Sequence, residues 1–152
     1  MLTDTCIYTI KHTDDLETAA EAREPVTFTE DKRWVTAQKM LIGALRLGER
    51  VPIIFAPAEF TRFLFGWALL DKVVLKNDTT EYTFSQFQKF KKEAHRKTTL
   101  RKASNAEPLH ADFIRPYAIC LTPAYFKNKS EKEGLVGGKK LEQKSSRRRR
   151  GK

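Results

Sequence analysis

Gly48-Glu49-Arg50-Val51-Pro52-Ile53-Ile54-Phe55-Ala56, followed by Phe63-Leu64-Phe65-Gly66-Trp67-Ala68-Leu69-Leu70 and Asp71-Lys72-Val73-Val74-Leu75, is the stretch that decides the fold class. The first run is apolar, short and broken by Pro57, which suits a buried strand with proline at either end. The second is rich in β-formers, and its Gly66 marks a bulge or a close approach of two backbones. Immediately upstream, Trp34, Ala37, Leu41, Ala44 and Leu45 recur at helical spacing between Arg33 and Leu47, with Gly48 as the C-terminal stop.

Working outward, Cys6-Ile7-Tyr8-Thr9-Ile10 predicts a first strand. A short helix follows through Ala22, capped by Asp14 or Asp15 and ended by Glu24-Pro25, and then a short strand at Val26-Thr27-Phe28-Thr29. Beyond the Asn77-Asp78 turn, Phe84, Phe87 and Phe90 fall three apart, which predicts a helix capped by Thr83 or Ser85 with Phe87 in the core. From Lys91 to Leu109 no apolar pattern survives, and Phe113 to Leu121 supplies a last strand closed by Thr122-Pro123.

The 152 residues carry a net charge of +10, and its distribution matters more than its sum. Residues 127–152 hold eleven Lys and Arg against three Glu, a balance of +8, so residues 1–126 carry only +2. Within that body, Lys89 to Lys102 holds seven cations against Glu93, a balance of +6, which leaves the remainder at −4. Much of the acid lies between Asp14 and Asp31. A chain polarised in this way favours oriented docking, and its basic side points to a polyanion. The tail has too few large apolar residues to offset its ordering entropy, so it is expected to be disordered. The expected organisation is therefore one domain over residues 1–126 and a basic tail over 127–152.

Two cysteines, Cys6 and Cys120, cannot build a disulfide framework or a four-ligand zinc site. His12, His95 and His110 are scattered without metal spacing, so neither a metal nor a cofactor is expected. Gly137-Gly138 lacks the strand and helix that a phosphate loop requires. No apolar run is long enough to span a bilayer, and Met1-Leu2-Thr3-Asp4 does not open a signal peptide. The expected location is intracellular: cytoplasmic, or nuclear in a eukaryote.

The order helix, glycine, charged residue, apolar strand, loop, Gly-aromatic-small strand is carried by Gly48-Glu49-Arg50-Val51 to Ala56 and by Gly66-Trp67-Ala68. It resembles the PUA-like superfamily, which includes the ASCH, EVE and YTH domains, over the span Thr29 to Thr122. The resemblance implies an α+β fold, a small half-open mixed β-barrel with flanking helices. It also implies binding of RNA, or of a modified base in a pocket beside the first long helix, with Trp34 and Lys39 near that pocket. Some ASCH members are amidohydrolases on modified nucleosides, but their Gly-x-Lys-x-x-Thr signature is absent, and Thr36 and Lys39 occur in the reverse order. Glu59 and Glu81 are the carboxylates such chemistry would draw on.

Cations of the body segment, Lys89, Lys91, Lys92, Arg96, Lys97, Arg101 and Lys102, are candidate phosphate contacts able to orient a nucleic acid. Arg147, Arg148, Arg149 and Arg150 add sequence-independent affinity with a steep salt dependence. Arg115, just ahead of Pro116-Tyr117, either forks onto a phosphate or base edge or ties Asp112. Unpaired bases stack on aromatic rings beside basic grooves, so Trp34, Phe60, Phe63, Trp67 and Tyr117 are candidate platforms, whereas Phe55 belongs to the core. Cys120 reads as a small buried hydrophobe. The expectation is a non-catalytic nucleic-acid-binding protein, with RNA preferred over DNA and single-stranded DNA as the other ligand. Two alternatives are an amidohydrolase or nuclease on modified nucleosides or RNA, and a protein-interaction module whose basic tail binds an acidic partner.

Overall fold

A computed structural model describes residues 1–90, 96–113, 115, 117–124 and 126. Lys91, Lys92, Arg147, Arg148, Arg149, Arg150 and the whole 127–152 tail lie outside the described residues. The elements are β1 (Thr5–Lys11), α1 (Thr13–Glu21), β2 (Val26–Glu30), α2 (Val35–Arg46), β3 (Val51–Pro57), β4 (Gly66–Leu75), β5 (Thr80–Lys89), β6 (Arg101–Lys102) and β7 (Tyr117–Leu121). Seven strands form one sheet in the order β2-β5-β4-β3-β1-β7-β6, with β1 and β3 parallel and the other pairs antiparallel. The protein is thus a mixed α+β domain.

Every residue of β3 is buried, because both faces of the sheet are covered there. On one face Ile7, Ile53, Phe55, Ala68, Leu70 and Phe84 pack beneath Leu16 and Ala19 of α1 and Ala37, Leu41 and Ala44 of α2. On the other, Cys6, Tyr8, Ile54, Ala56, Trp67 and Leu69 lie under Leu64, Leu100, Leu109 and Phe126. Cys6 and Cys120 face each other across β1 and β7 and are fully buried, and burial pushes both thiols up, Cys120 to about 12. They act as apolar filler, as expected for inert buried cysteines. Just past α2 and its C-cap Leu47, Gly48 stops the helix with φ +74°, a left-handed conformation that glycine adopts without penalty. Leu45, expected in the core, is exposed instead, since the core stripe of α2 is completed by Ala37, Leu41 and Ala44.

The helix expected after Thr83 is a strand. Successive residues of a regular strand alternate faces, so Phe84 and Phe87 would point to opposite sides. One extra residue in β5, opposite Trp67–Leu69, removes the conflict: Gln86 takes φ +59°, and both phenylalanines then pack against the helix-covered core. Alternation resumes, and Phe90 reaches the other face. Spacing of three, the helical signal, is here produced by a bulge. A second bulge puts Asp71 of β4 out of register, where its carboxylate takes the Arg50 guanidinium at 2.5 Å. Gly66 sits against the first irregularity, and a Cβ there would lie 2.5 Å from the Gln88 carbonyl oxygen and 2.9 Å from the Phe87 ring. Farther on, the last strand begins at Tyr117, later than the apolar run suggested, and Arg101-Lys102 forms a two-residue edge strand that no sequence pattern announced.

The sheet is strongly curled but not closed. Phe28 of β2 meets Phe55 of β3 at 6.2 Å between ring centroids, although β5 and β4 lie between those strands. A flat sheet would hold β2 and β3 about 14 Å apart. At the open seam, Lys11 of β1 reaches β2: its ammonium is 2.5 Å from Glu30, donates to the Thr29 carbonyl at 3.1 Å, and lies over the Phe28 ring at 5.1 Å. Burial raises the Glu30 carboxyl above its ordinary range, with Lys11 opposing. Among the described residues, β1 and β2 are thus joined by a partly buried ion pair, a hydrogen bond and a cation–ring contact, and by no backbone ladder.

Lys11→Met strands the Glu30 carboxylate and should cost about 2–3 kcal/mol in chemical denaturation, most of it recovered in Lys11→Met/Glu30→Gln. Gly66→Ala should cost about 1–3 kcal/mol in the same assay, because the added methyl meets backbone that cannot withdraw.

Candidate nucleic-acid interface

The loop between β3 and β4 starts with a single 3-10 turn, Ala58–Phe60, because Pro57 ends the ladder and Thr61 continues in helical conformation. Its first turn is tied to α1. The Glu59 carboxylate accepts from the Thr13 amide at 2.9 Å and the Thr13 hydroxyl at 2.6 Å, and its other oxygen is 3.3 Å from Nδ1 of His12. Glu59 thus caps α1 from another element, and this replaces the expected caps Asp14 and Asp15: the N-cap residue is His12, whose side chain makes no capping bond. The bonds from Thr13 hold the Glu59 carboxyl down at about 2.

With Glu59 engaged, Phe60 is left on the outside at 64% exposure. Phe63 lies beside it, centroids 6.4 Å apart, and the Arg96 guanidinium sits 5.2 Å above the Phe63 ring. Backbone pairing makes this neighbourhood: Phe63 bridges Arg96, and the Lys97 amide donates to the Arg62 carbonyl at 2.8 Å. Arg62 projects from the same loop and meets Asp112 at 3.1 Å, with both side chains about two-thirds exposed or more. Such exposed pairs contribute little and exchange readily. The result is a surface on which Phe60, Phe63 and the Arg96 guanidinium lie together, with Arg62 on the same loop.

The other residues singled out from the sequence fall elsewhere. Trp34 is 1% exposed, stacked on Tyr82 at 4.5 Å and on Tyr117 at 4.7 Å, so its indole has no open face for a base. Trp67 is buried against Phe126 at 4.7 Å. Tyr117 is half-buried, and its hydroxyl accepts from the Ala37 amide at 3.2 Å, which locks it to α2. These three rings serve the core; of the expected stacking platforms, Phe60 is exposed and Phe63 half-buried beside it.

Among the cations, Lys97 is buried, its ammonium donating to the carbonyls of Ala111 and Phe113. Burial lowers it from the ordinary lysine range. Lys97 therefore anchors the 108–113 loop and does not face a ligand. Lys89 is half-exposed, paired with Glu17 at 3.1 Å and lying over the Phe65 ring. Arg101 is exposed and donates to the Ala106 carbonyl at 2.9 Å; Lys102 is half-buried and Arg115 exposed. Asp112 goes to Arg62, not to Arg115. Lys39 is exposed on α2, whereas Glu59 is committed to Thr13 and His12, and Glu81 faces Lys76 at 3.9 Å. No described contact assembles Lys39 with either carboxylate.

Sequence reasoning did not single out Arg62, nor the capping role of Glu59. Neither has a local signature, since both act through residues about 50 positions away in the chain. The signal that existed was Phe60 itself, a large apolar residue in Ala58-Glu59-Phe60-Thr61-Arg62, where no periodicity calls for one.

Because the Glu59 carboxyl is lowered by native contacts, its contribution to stability is fully present above its ordinary value of 4.5 and is lost as pH falls toward 2. Melting temperatures of the wild type and Glu59→Gln should differ by a constant amount above pH 4.5 and converge near pH 2. Neither a known protein-family model nor a curated protein matches this chain.

Proposed function

We propose that the protein binds single-stranded nucleic acid, with RNA preferred over DNA, through the Phe60–Phe63 surface. The observation that carries this reading is an exposed aromatic ring, Phe60, set beside a second ring that bears a guanidinium, with Arg62 on the same loop. Bases of unpaired strands stack on such rings, and neighbouring arginines neutralise the backbone. Arg101 and Arg115 are further exposed cations of the body available to phosphate, and the +8 tail adds affinity without sequence preference. Asp14, Asp15, Glu21 and Glu24 are exposed carboxylates that repel phosphate where they lie. A curled, unclosed sheet flanked by two helices supports the finer reading of the fold as a PUA-like half-open barrel, and that superfamily includes RNA binders.

The test is fluorescence anisotropy with a labelled single-stranded RNA and the DNA of the same sequence. Phe60→Ala should weaken binding by about 1–3 kcal/mol, five- to 150-fold. Arg62→Gln/Arg96→Gln should flatten the slope of log affinity against log salt by about 1.4. Removing residues 127–152 should weaken both ligands while leaving the Phe60 dependence intact. If truncation abolishes binding and Phe60→Ala changes nothing, the surface is not the site, and the tail alone is a polyanion ligand.

A further inference from the structure

We propose that the outward face of α2 docks an acidic amphipathic helix of a partner protein. Among the described residues six large apolar side chains are exposed, and four belong to α2 or its C-cap: Val35 at 38%, Ile42 and Leu45 at 46% each, and Leu47 at 76%. Apolar exposure concentrated on one element marks an interaction surface rather than the scattered exposure of any monomer. The patch is basic as well as apolar, since Lys39 and Arg46 are exposed on it and α2 contains no acidic residue.

Gly43 identifies the shape of the occupant. It lies in mid-helix on the exposed side, and a Cβ added there would meet nothing within 4 Å. Its φ is not positive, so the fold itself has no need of glycine at this position, where alanine would make the more stable helix. Val35, Lys39, Gly43 and Leu47 form one row spaced by four, and the missing side chain leaves a notch in that row beside Ile42. A notch between ridges admits the ridge of a second helix and its close approach. A fluid lipid surface gains nothing from it.

Charge selects the partner. Two copies of α2 packed together would bring Lys39 and Arg46 against like charges with no carboxylate to relieve them. Packing against α1 of another copy offers carboxylates, but the described exposed apolar side chains include none from α1. A foreign helix with an apolar stripe flanked by Asp or Glu satisfies both requirements. This face belongs to α2 on the helix-covered side of the sheet and shares no residue with the proposed nucleic-acid surface.

The probe is a synthetic helical peptide with a Leu/Ala stripe flanked by Glu, and a twin flanked by Lys, titrated into the full chain labelled with nitrogen-15. Amide shifts should map to Val35–Leu47, and the Glu peptide should bind about tenfold tighter than its twin. Gly43→Ala should raise the melting temperature by about 4 °C, which shows that the fold tolerates a side chain there. Gly43→Leu should stay folded yet abolish the shifts, and Ile42→Glu should do the same. Equal binding of both peptides, shifts elsewhere, no shifts, or indifference to Gly43→Leu overturns the proposal. So does an identical footprint produced by phosphatidylserine/phosphatidylcholine vesicles, which assigns the face to membranes. A dimer lost in Ile42→Glu overturns it as well, in favour of self-association.

Discussion

Curling of the sheet is the constraint from which the remaining geometry follows. A flat arrangement of these seven strands would leave Phe28 far from Phe55 and would put Lys11 out of reach of Glu30. Two bulges in the β4–β5 pair, at Gln86 and Asp71, increase local twist and let the sheet roll over its aromatic interior. Gly66 permits the first by leaving room for the Gln88 carbonyl, and Arg50 satisfies the carboxylate that the second displaces. Trp34, packed between Tyr82 and Tyr117, then joins β5, β7 and the start of α2 into one unit.

The cations divide by what holds them. Lys11, Arg50 and Lys97 are spent on structure: one fastens the seam, one a bulge, and one the loop over the second core. Among the described residues Arg62 is held by an exposed carboxylate and Arg96 by a ring face, and those contacts give way to phosphate at small cost. A net charge of +10 therefore says less about binding than the few guanidinium groups whose partners are weak. The aromatics divide in the same manner, with the tryptophans taken by the core and the β3–β4 loop keeping Phe60 outside.

Much of the architecture was legible in local patterns. The apolar run of β3 signalled a buried strand, the spacing from Trp34 to Ala44 signalled α2, and Gly48 and Gly66 were read correctly as a helix stop and a close approach. The misreading of β5 has one physical cause: a bulge shifts strand periodicity by one residue, and Phe84-x-x-Phe87 then imitates a helix. The cap of α1 was misassigned because proximity in sequence favours Asp14 or Asp15, while Glu59 arrives from a distant loop with better geometry.

By itself the sequence determined which segments are strands or helices where periodicity is regular, that Cys120 is a small buried hydrophobe, and that charge is partitioned between a basic tail, a basic segment and an acidic remainder. These are properties of composition and short-range pattern, and they need no knowledge of what packs on what. Tertiary structure decided which aromatic rings remain open, which lysines are buried, and that Phe60, Phe63 and Arg96 meet. Those outcomes depend on pairings between residues far apart in the chain, such as Phe63 with Arg96 and Glu59 with Thr13, and no local window contains both partners.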